Sequence, residues 1–408
     1  MNILFLHRNF LAQFRHIAVE LAKDPNNKVF FITNNDKLQL KGINKLIYKL
    51  KREVPPDCHR YLRFYEESII HAQATAEVAL ALKESGFKPD IIYGHTWGQT
   101  MFMKEVFPDV PLLCYFEWFY NAEGADVGFD GKILNVDERA KLRCKNSHLY
   151  VDLDICDAGI CPTNWQRSQF PEKFHDKIKV LHDGVDTDFC APNKDAKFFI
   201  KEKNLELTTK DEVITYATRG MEAYRGFPEF MRAASILLKK RPNPQIVIGG
   251  EDRVCYGPQV IGTTYKEMML KELPDLDLSR VHFVGGLPFN EYVKLLQISS
   301  VHVYLTYPFV LSWSLLDAMA CECCIVASDT KPVLEVMQDH HNALLTDFYN
   351  VDGIVEKVEY ALDNQDMMEE IRHNARKTIV DNYALKNLLP KHIEYVKQLV
   401  QDSKVLLR

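Results

Sequence analysis

Short apolar runs recur along the chain, each followed by a turn and then a stretch of helical length. In the first half these are Ile3–Leu6, Val29–Ile32, Ile91–Tyr93, Leu112–Phe116, Ala158–Cys161 and Ile178–Leu181. The series restarts with Val213–Tyr216, Ile246–Ile248, Val281–Val284, Val301–Leu305, Ile325–Ala327 and Ala343–Leu345. Uninterrupted apolar strands alternating with helices mark parallel sheets covered on both faces. The pattern predicts an α/β chain of two Rossmann-like, doubly wound parallel-sheet domains facing across a cleft. The helix after Val213–Tyr216 shows the period: Phe227, Phe230, Met231, Ala234, Leu237 and Leu238 share one face, and Pro228 suits a first turn. Residues 186–211 are charged, contain Pro192 and carry no sustained strand pattern, so they read as the linker. The domains are accordingly drawn at 1–188 and 189–385. Residues 386–408 are expected to form a C-terminal helix that packs back on the first domain and that Pro390 kinks or restarts.

A length of 408 residues suits two such domains. Lysine and arginine total 50 against 56 acidic residues, and the net charge of −6 argues against a general nucleic-acid binder. No stretch reaches the ~18–20 consecutive apolar residues that span a bilayer, and Met1–Leu6 is too short for a signal-peptide core, so a cytoplasmic protein is expected. The ten cysteines are scattered, several in apolar runs, as reduced thiols would be. Cys321–Cys324 holds a lone CxxC without a second pair at matching spacing, and no metal is expected there. Lys41, Lys45, Lys49 and Arg52 fall close to one helical face, with Ile43, Leu46, Ile47 and Leu50 on others. Residues 37–52 therefore read either as a solvated helix face or as a peripheral contact with the anionic inner face of a membrane.

In open α/β sheets ligands bind beyond the carboxyl ends of the strands. Val301–Ala320 reads as a strand, a proline turn and a helix opening near Ser312, whose free N–H groups and dipole suit a diphosphate. Asp317 is flanked by Leu315, Leu316, Ala318 and Met319; a carboxylate in that company needs partners, and two neighbouring sugar hydroxyls would satisfy both oxygens. Arg219 and Arg225 leave the strand ending at Ala217 on a loop with two glycines, and guanidinium forks match phosphate oxygens bidentately. They are the expected diphosphate clamp; the plainer alternative is two solvated arginines beside Glu222. In the first half, Glu117 and His95 each stand at a strand end, where they are placed either to orient or deprotonate a hydroxyl or to serve structure alone. Asn121–Asp130 follows as a polar, glycine-containing loop that carries Asp126 and Asp130. Asp152 and Asp154 spell a metal-binding DxD but precede a strand, and read as a coincidence.

Together these segments resemble a family 4 glycosyltransferase, the GT-B, retaining class that uses nucleotide-sugar donors. The likeness spans nearly the whole chain. It is carried by Arg219–Gly226, similar to the family's phosphate loop, and by Ile246–Gly250, Val281–Leu287, Leu315–Ser328 and His182–Asp186. The resemblance implies an acceptor-binding first domain and a second domain that binds a UDP- or GDP-linked sugar. Gly250, Gly286, Leu287, Val310, Leu311, Ser312 and Asp317 then fall on the donor side and Asp126 and Asp130 on the acceptor side, with Arg219, Arg225, Glu117 and His95 as catalytic groups. It further implies retention of anomeric configuration, a phosphate oxygen helping to take the acceptor proton, no metal or other cofactor, and a saccharide, lipid-linked or protein acceptor in glycan biosynthesis.

Departures from the family pattern are specific. Its paired acids, with seven residues between them, become Phe309 and Asp317, leaving donor-sugar hydroxyls to backbone groups of Val310, Leu311 and Ser312. Its phosphate-loop lysine is Arg225, which keeps the charge. Its glycine-rich turn after the first strand is replaced by His7–Arg15, and its first-domain histidine by Glu117. Two other readings share the same shape. One is a nucleotide-sugar epimerase or hydrolase, and the other a nucleotide-sugar-binding protein whose chemistry lapsed with the acid absent at Phe309.

Overall fold

The computed structural model describes residues 1–406; the last two residues of the expected C-terminal segment 386–408 lie outside them. The chain divides into two compact units, one of Met1–Gly184 with Lys386–Arg408, the other of Val185–Leu385.

The first unit is built on seven strands: β1 (Asn2–Leu6), β2 (Lys28–Thr33), β3 (Ile43–Ile47), β4 (Ile91–His95), β5 (Leu112–Tyr115), β6 (Ala158–Cys161) and β7 (Ile178–Val180). All neighbours pair in parallel, in the order β3-β2-β1-β4-β5-β6-β7. Side chains alternate between two buried layers, as a pleated strand requires. Leu4, Leu6, Ile32 and Ile92 join one, and Ile3, Phe5, Val29 and Tyr93 the other. Leu388, Val396 and Val400 of the helix Leu385–Leu406 complete the second layer, and that helix runs through Pro390 without a break.

The second unit holds β8 (Lys197–Ile200), β9 (Leu205–Thr208), β10 (Val213–Gly220), β11 (Gln245–Glu251), β12 (Val281–Gly285), β13 (Val301–Tyr304), β14 (Ile325–Ser328) and β15 (Leu344–Thr346). Six of them form a parallel sheet in the order β12-β11-β10-β13-β14-β15. The helix predicted from Phe227 onward is Phe227–Lys240, with Pro228 in its first turn.

Two readings are corrected here. Residues 186–211 are not a linker. They carry the antiparallel β8/β9 hairpin, whose Phe198, Ile200 and Leu207 bury against Val213, Val247 and Leu295. The chain instead changes unit at Gly184/Val185 and Leu385/Lys386, where the Val185 N–H donates to the Tyr383 carbonyl at 2.8 Å and the Leu385 N–H to the Val185 carbonyl at 2.7 Å. Nor is there a helix over residues 37–52. Ile43–Ile47 is the edge strand β3, paired with β2, so Lys41, Lys45, Lys49 and Arg52 share no helical face. Lys45 is tied to the Asp36 carbonyl at 3.1 Å, and Arg52 pairs with Glu66. Among the described residues, no helix is long and apolar enough to cross a membrane.

Candidate active site

In each parallel sheet the strand order reverses once, between β1 and β4 in the first unit and between β10 and β13 in the second. Connections diverge at such a point and leave a crevice at the carboxyl ends of the strands. The chemistry-bearing residues gather at these two places.

In the second unit, β10 does not stop at Ala217. It bulges between Ala217 and Gly220, which carries Arg219 to an exposed position at the strand end. The 3₁₀ turn Ala223–Arg225 follows, and Gly226 then takes φ +66°. A Cβ there would lie 2.4 Å from Cβ of Leu305, so glycine is needed both for the backbone angle and for close approach to the chain leaving β13. That approach buries Arg225. Its Nη1 donates to Thr306 Oγ1 at 2.6 Å, to the Val310 carbonyl at 3.2 Å and to Tyr304 Oη at 3.4 Å, and its guanidinium lies 5.0 Å from the centre of the Tyr256 ring. Burial works against the charge, but Tyr304, Tyr256 and Glu222 outweigh it and hold the pKa above the ordinary arginine value.

Glu222, which the sequence offered only as a neighbour of the arginines, is fully buried. Its carboxylate accepts the backbone N–H groups of Cys255 at 3.0 Å, Tyr256 at 3.0 Å and Gly257 at 2.7 Å. It thereby fixes the segment after β11 and places the Tyr256 ring against Arg225. Its only sequence signal is an acid between two arginines.

The helix Trp313–Ala320 begins where expected, but its start is not open. Ser312 Oγ accepts the Ser314 N–H at 3.3 Å, the Ser312 carbonyl accepts the Leu315 N–H at 3.1 Å, and the Ser312 N–H donates to Tyr304 Oη at 3.1 Å. These bonds correct the expectation of free N–H groups; the helix contributes its dipole. Asp317 is buried within this helix, and the Cys190 thiol donates to its Oδ1 at 3.8 Å. Arg376 holds Cys190 in place by donating to the Cys190 carbonyl at 3.1 Å, to the Thr187 carbonyl at 3.1 Å and to the Ala320 carbonyl.

Arg219 thus lies near the end of β10, Arg225 on the turn that follows it, and Val310, Leu311, Ser312 and Asp317 on the loop and helix that follow β13, so all six stem from the two strands that flank the reversal. Gly250 lies one strand away at φ +141°, where a Cβ would meet the Thr218 carbonyl oxygen at 2.5 Å; it lets β10 and β11 close up. Gly286 and Leu287 follow the edge strand β12, with Gly286 exposed and Leu287 packed on the β8/β9 cluster.

In the first unit, His95 ends β4 and Glu117 follows β5. His95 Nε2 stands 3.5 Å from Glu117 Oε2. His95 is fully buried, and neither ring nitrogen has a hydrogen bond. Its ring is held by Trp97 at 4.3 Å, by Tyr115 at 5.4 Å and edge-on by His7 at 4.9 Å between centroids. Glu117 Oε1 accepts from Gln13 Nε2 at 3.3 Å, and the Glu117 carbonyl accepts from Gln166 Nε2 at 2.8 Å. Gln13 comes from the segment that stands in place of a glycine-rich turn. His7, just past β1, was not singled out in sequence. Its Nδ1 accepts the Asn9 N–H at 2.7 Å, and burial, followed by His95, pushes its pKa well below the usual histidine value. A histidine directly after the first apolar run was the available signal.

The two acidic candidates of the following loop separate. Asp126 is buried and pulls upward on Lys145, whose ammonium burial nevertheless lowers to about 8. Asp130 is exposed and accepts the Lys132 N–H at 3.1 Å, an ordinary turn. A cavity of about 800 Å³ lined by Phe119, Tyr120, Arg139, Arg143, Tyr150 and Phe170 opens beside this loop, and not over His95. Asp152 and Asp154 lie on the helix Ser147–Ile155, and burial pushes the Asp152 carboxyl up to about 8. Cys321, Cys323 and Cys324 are buried thiols at the junction of the Trp313 helix and β14.

Comparison with known proteins accounts for both units. Residues 25–190 match the glycosyl transferase family 4 group, and residues 197–378 match the glycosyl transferases group 1. Two curated relatives are matched over only 31% and 41% of their own lengths. The second, N,N'-diacetylbacillosaminyl-diphospho-undecaprenol alpha-1,3-N-acetylgalactosaminyltransferase of Campylobacter jejuni, is 26% identical over 173 residues, 42% of this chain. Among solved structures, sucrose-phosphate synthase of Thermosynechococcus elongatus superposes with a TM-score of 0.72 at 14% identity, over 98% of this chain and all of that one. Anabaena HepE in complex with UDP-glucose gives 0.68 at 13%, again over 98% of this chain and all of that one. These likenesses establish the GT-B fold, and with both units matched in order, the chain belongs to the family 4 glycosyltransferases.

Proposed function

We propose that this glycosyltransferase moves a sugar from a UDP- or GDP-linked donor to a saccharide, lipid-linked or protein acceptor with retention of anomeric configuration. The donor belongs to the second unit and the acceptor to the first. The observation that carries this reading is the buried, charged Arg225, held from the turn after β10 against Thr306 and Val310 of the loop before the Trp313 helix, with Arg219 near the end of β10. Cleavage of the anomeric bond builds negative charge on the departing diphosphate and positive charge on the sugar ring. Fixed cations and a helix dipole at the diphosphate lower that barrier. Two guanidinium groups supply the countercharge that a divalent ion would otherwise bring, so turnover is expected to persist in excess chelator.

Asp317 is placed to receive ribose hydroxyls, with the Cys190 thiol orienting one of its oxygens. On the acceptor side, Glu117 Oε2 faces His95 while Gln13 holds Oε1. This pair can orient an acceptor hydroxyl as a phosphate oxygen of the leaving group takes its proton. The Campylobacter relative, by its name, acts on a diphospho-undecaprenol-linked acceptor, and the aromatic cavity lined by Arg143 and by Arg139, which pairs with Glu123 at 2.6 Å, would suit an amphiphilic acceptor.

Calorimetric titration with UDP and GDP, followed by transfer assays over a panel of their sugars, tests the assignment. Binding of one nucleoside diphosphate and transfer with retention, read from the anomeric coupling of the product by NMR, are expected. Absence of binding by both would remove the donor site, and an inverted product would remove the retaining mechanism.

A further inference from the structure

We propose that the acceptor presents a neutral sugar ring to a cavity on the first unit, where His71 donates to it through Nε2–H. This deepens the acceptor reading of the first unit and rests on it. The cavity, of about 500 Å³, is lined by Leu50, Arg52, Glu53, Phe64, Glu67 and His71, from the chain that leaves β3 and from the helix Arg63–Glu84. That volume lies within the ~300–1,000 Å³ of small-molecule sites.

The cavity adjoins the β1/β4 reversal. Glu67 pairs at 2.6 Å with Arg8, which donates to the Trp97 carbonyl at 2.8 Å and 3.1 Å, and the Trp97 ring lies 4.3 Å from that of His95. The wall is thereby tied to the histidine that faces Glu117.

A short chain of hydrogen bonds fixes what His71 offers. Gln99 Nε2 donates to Tyr48 Oη at 3.1 Å, which leaves the Tyr48 proton for His71 Nδ1 at 2.8 Å. Burial, reinforced by Arg8, lowers the His71 pKa to about 4, so at neutral pH the ring is uncharged and carries its proton on Nε2. Among the described residues that nitrogen has no hydrogen-bond partner, although His71 is only 5% exposed. An oxygen acceptor in the cavity would complete it.

The rest of the lining selects among ligands. Its cations are engaged: Arg52 pairs with Glu66, and Arg63 donates to the carbonyls of Pro55 at 3.2 Å and Pro56 at 3.3 Å. Glu53, also at the wall, has no ion pair among the described residues. A phosphate or carboxylate therefore meets repulsion and no idle cation. An alkyl chain would strip water from Glu53 and His71 without replacing it. A sugar ring answers both: its hydroxyls can accept from His71 and donate to Glu53, while its C–H face packs on Phe64 beside Leu50.

The test is saturation-transfer NMR on the full chain in the presence of UDP or GDP. Methyl glycosides of glucose, galactose, mannose and N-acetylglucosamine are the probes, with inorganic phosphate and farnesol as competitors. At least one glycoside is expected to take up saturation and to keep it when the competitors are added. His71→Asn keeps an oxygen for Tyr48 but removes the Nε2 donor, and Phe64→Ala removes the platform. Each should weaken that glycoside by about threefold to tenfold with nucleoside-diphosphate affinity unchanged. The proposal is overturned if no glycoside is saturated, if phosphate or farnesol displaces it, or if its affinity is the same in the folded variants. Where one variant does not fold, the other decides. Failure of UDP and GDP alike to bind is a separate outcome: it removes the donor reading, while a glycoside signal lost in the variants would still mark a sugar site.

Discussion

The two strand-end sites are opposites in how they treat polar groups. At the β10/β13 reversal the second unit buries charge and satisfies it: Arg225 has oxygen partners from Thr306 and Val310, and Glu222 has three N–H donors. At the β1/β4 reversal the first unit buries imidazoles and leaves ring nitrogens unbonded, both on His95 and one on His7. A guanidinium cannot shed its charge and has to be paired before it can be buried, whereas the His7 imidazole, whose pKa burial holds well below the usual histidine value, can be buried without its charge. A prebuilt cation suits a leaving group whose charge is the same in every turnover. Unpaired ring nitrogens suit a hydroxyl that must be gripped and then released.

The comparison can be broken by variants that hit one side only. The largest effect is expected from Glu117→Gln, which should lower turnover roughly 10²–10⁴-fold while leaving nucleoside-diphosphate affinity intact. A matched loss of nucleotide binding would show that the two sites do not divide the work. Arg225→Ala should do the converse, weakening UDP or GDP binding by about 1.5–3 kcal/mol and lowering the melting temperature, because Thr306 Oγ1 loses its donor. Unchanged affinity in calorimetry would reassign Arg225 to structure.

Asp317→Asn should cost about 1–2 kcal/mol toward ribose-containing ligands and less toward 2′-deoxyribose analogues. Equal losses for both would argue that the aspartate only braces its helix. Outside both sites, Asp152→Asn sharpens the contrast between buried polar groups that act and those that do not. Burial holds Asp152 protonated up to about 8, so its contribution to stability is complete below the ordinary aspartate value and lost as pH rises through about 8. Asparagine does not titrate. The variant should therefore melt a few degrees higher near about pH 8.5, with a smaller gain near about pH 5, at unchanged turnover. A pH-independent difference would show that Asp152 is ionised in the fold.

Much of the architecture is legible in the chain because parallel strands buried on both faces are written as continuous apolar runs, such as Ile3–Leu6 and Val301–Leu305. Where the runs are short or alternating, the sequence is ambiguous. Ile43, Leu46, Ile47 and Leu50 fit a helical spacing, and only pairing with β2 makes Ile43–Ile47 a strand. The β8/β9 hairpin hides among charges because only its inward residues are apolar. At the sites, groups that sit at strand ends, such as Arg225 and His95, can be found by position. Gln13 and Glu222 act through partners about a hundred and about thirty residues away, and contacts between distant segments leave no local signature. The open helix start failed for a related reason: Tyr304 and Ser312 supply caps that composition alone does not place.

Because Leu388, Val396 and Val400 finish the layer begun by Ile3 and Phe5, synthesis and completion run in opposite orders. The strands of residues 1–184 keep a bare apolar flank until the closing helix emerges, while the contiguous stretch Val185–Leu385 is synthesised whole before then.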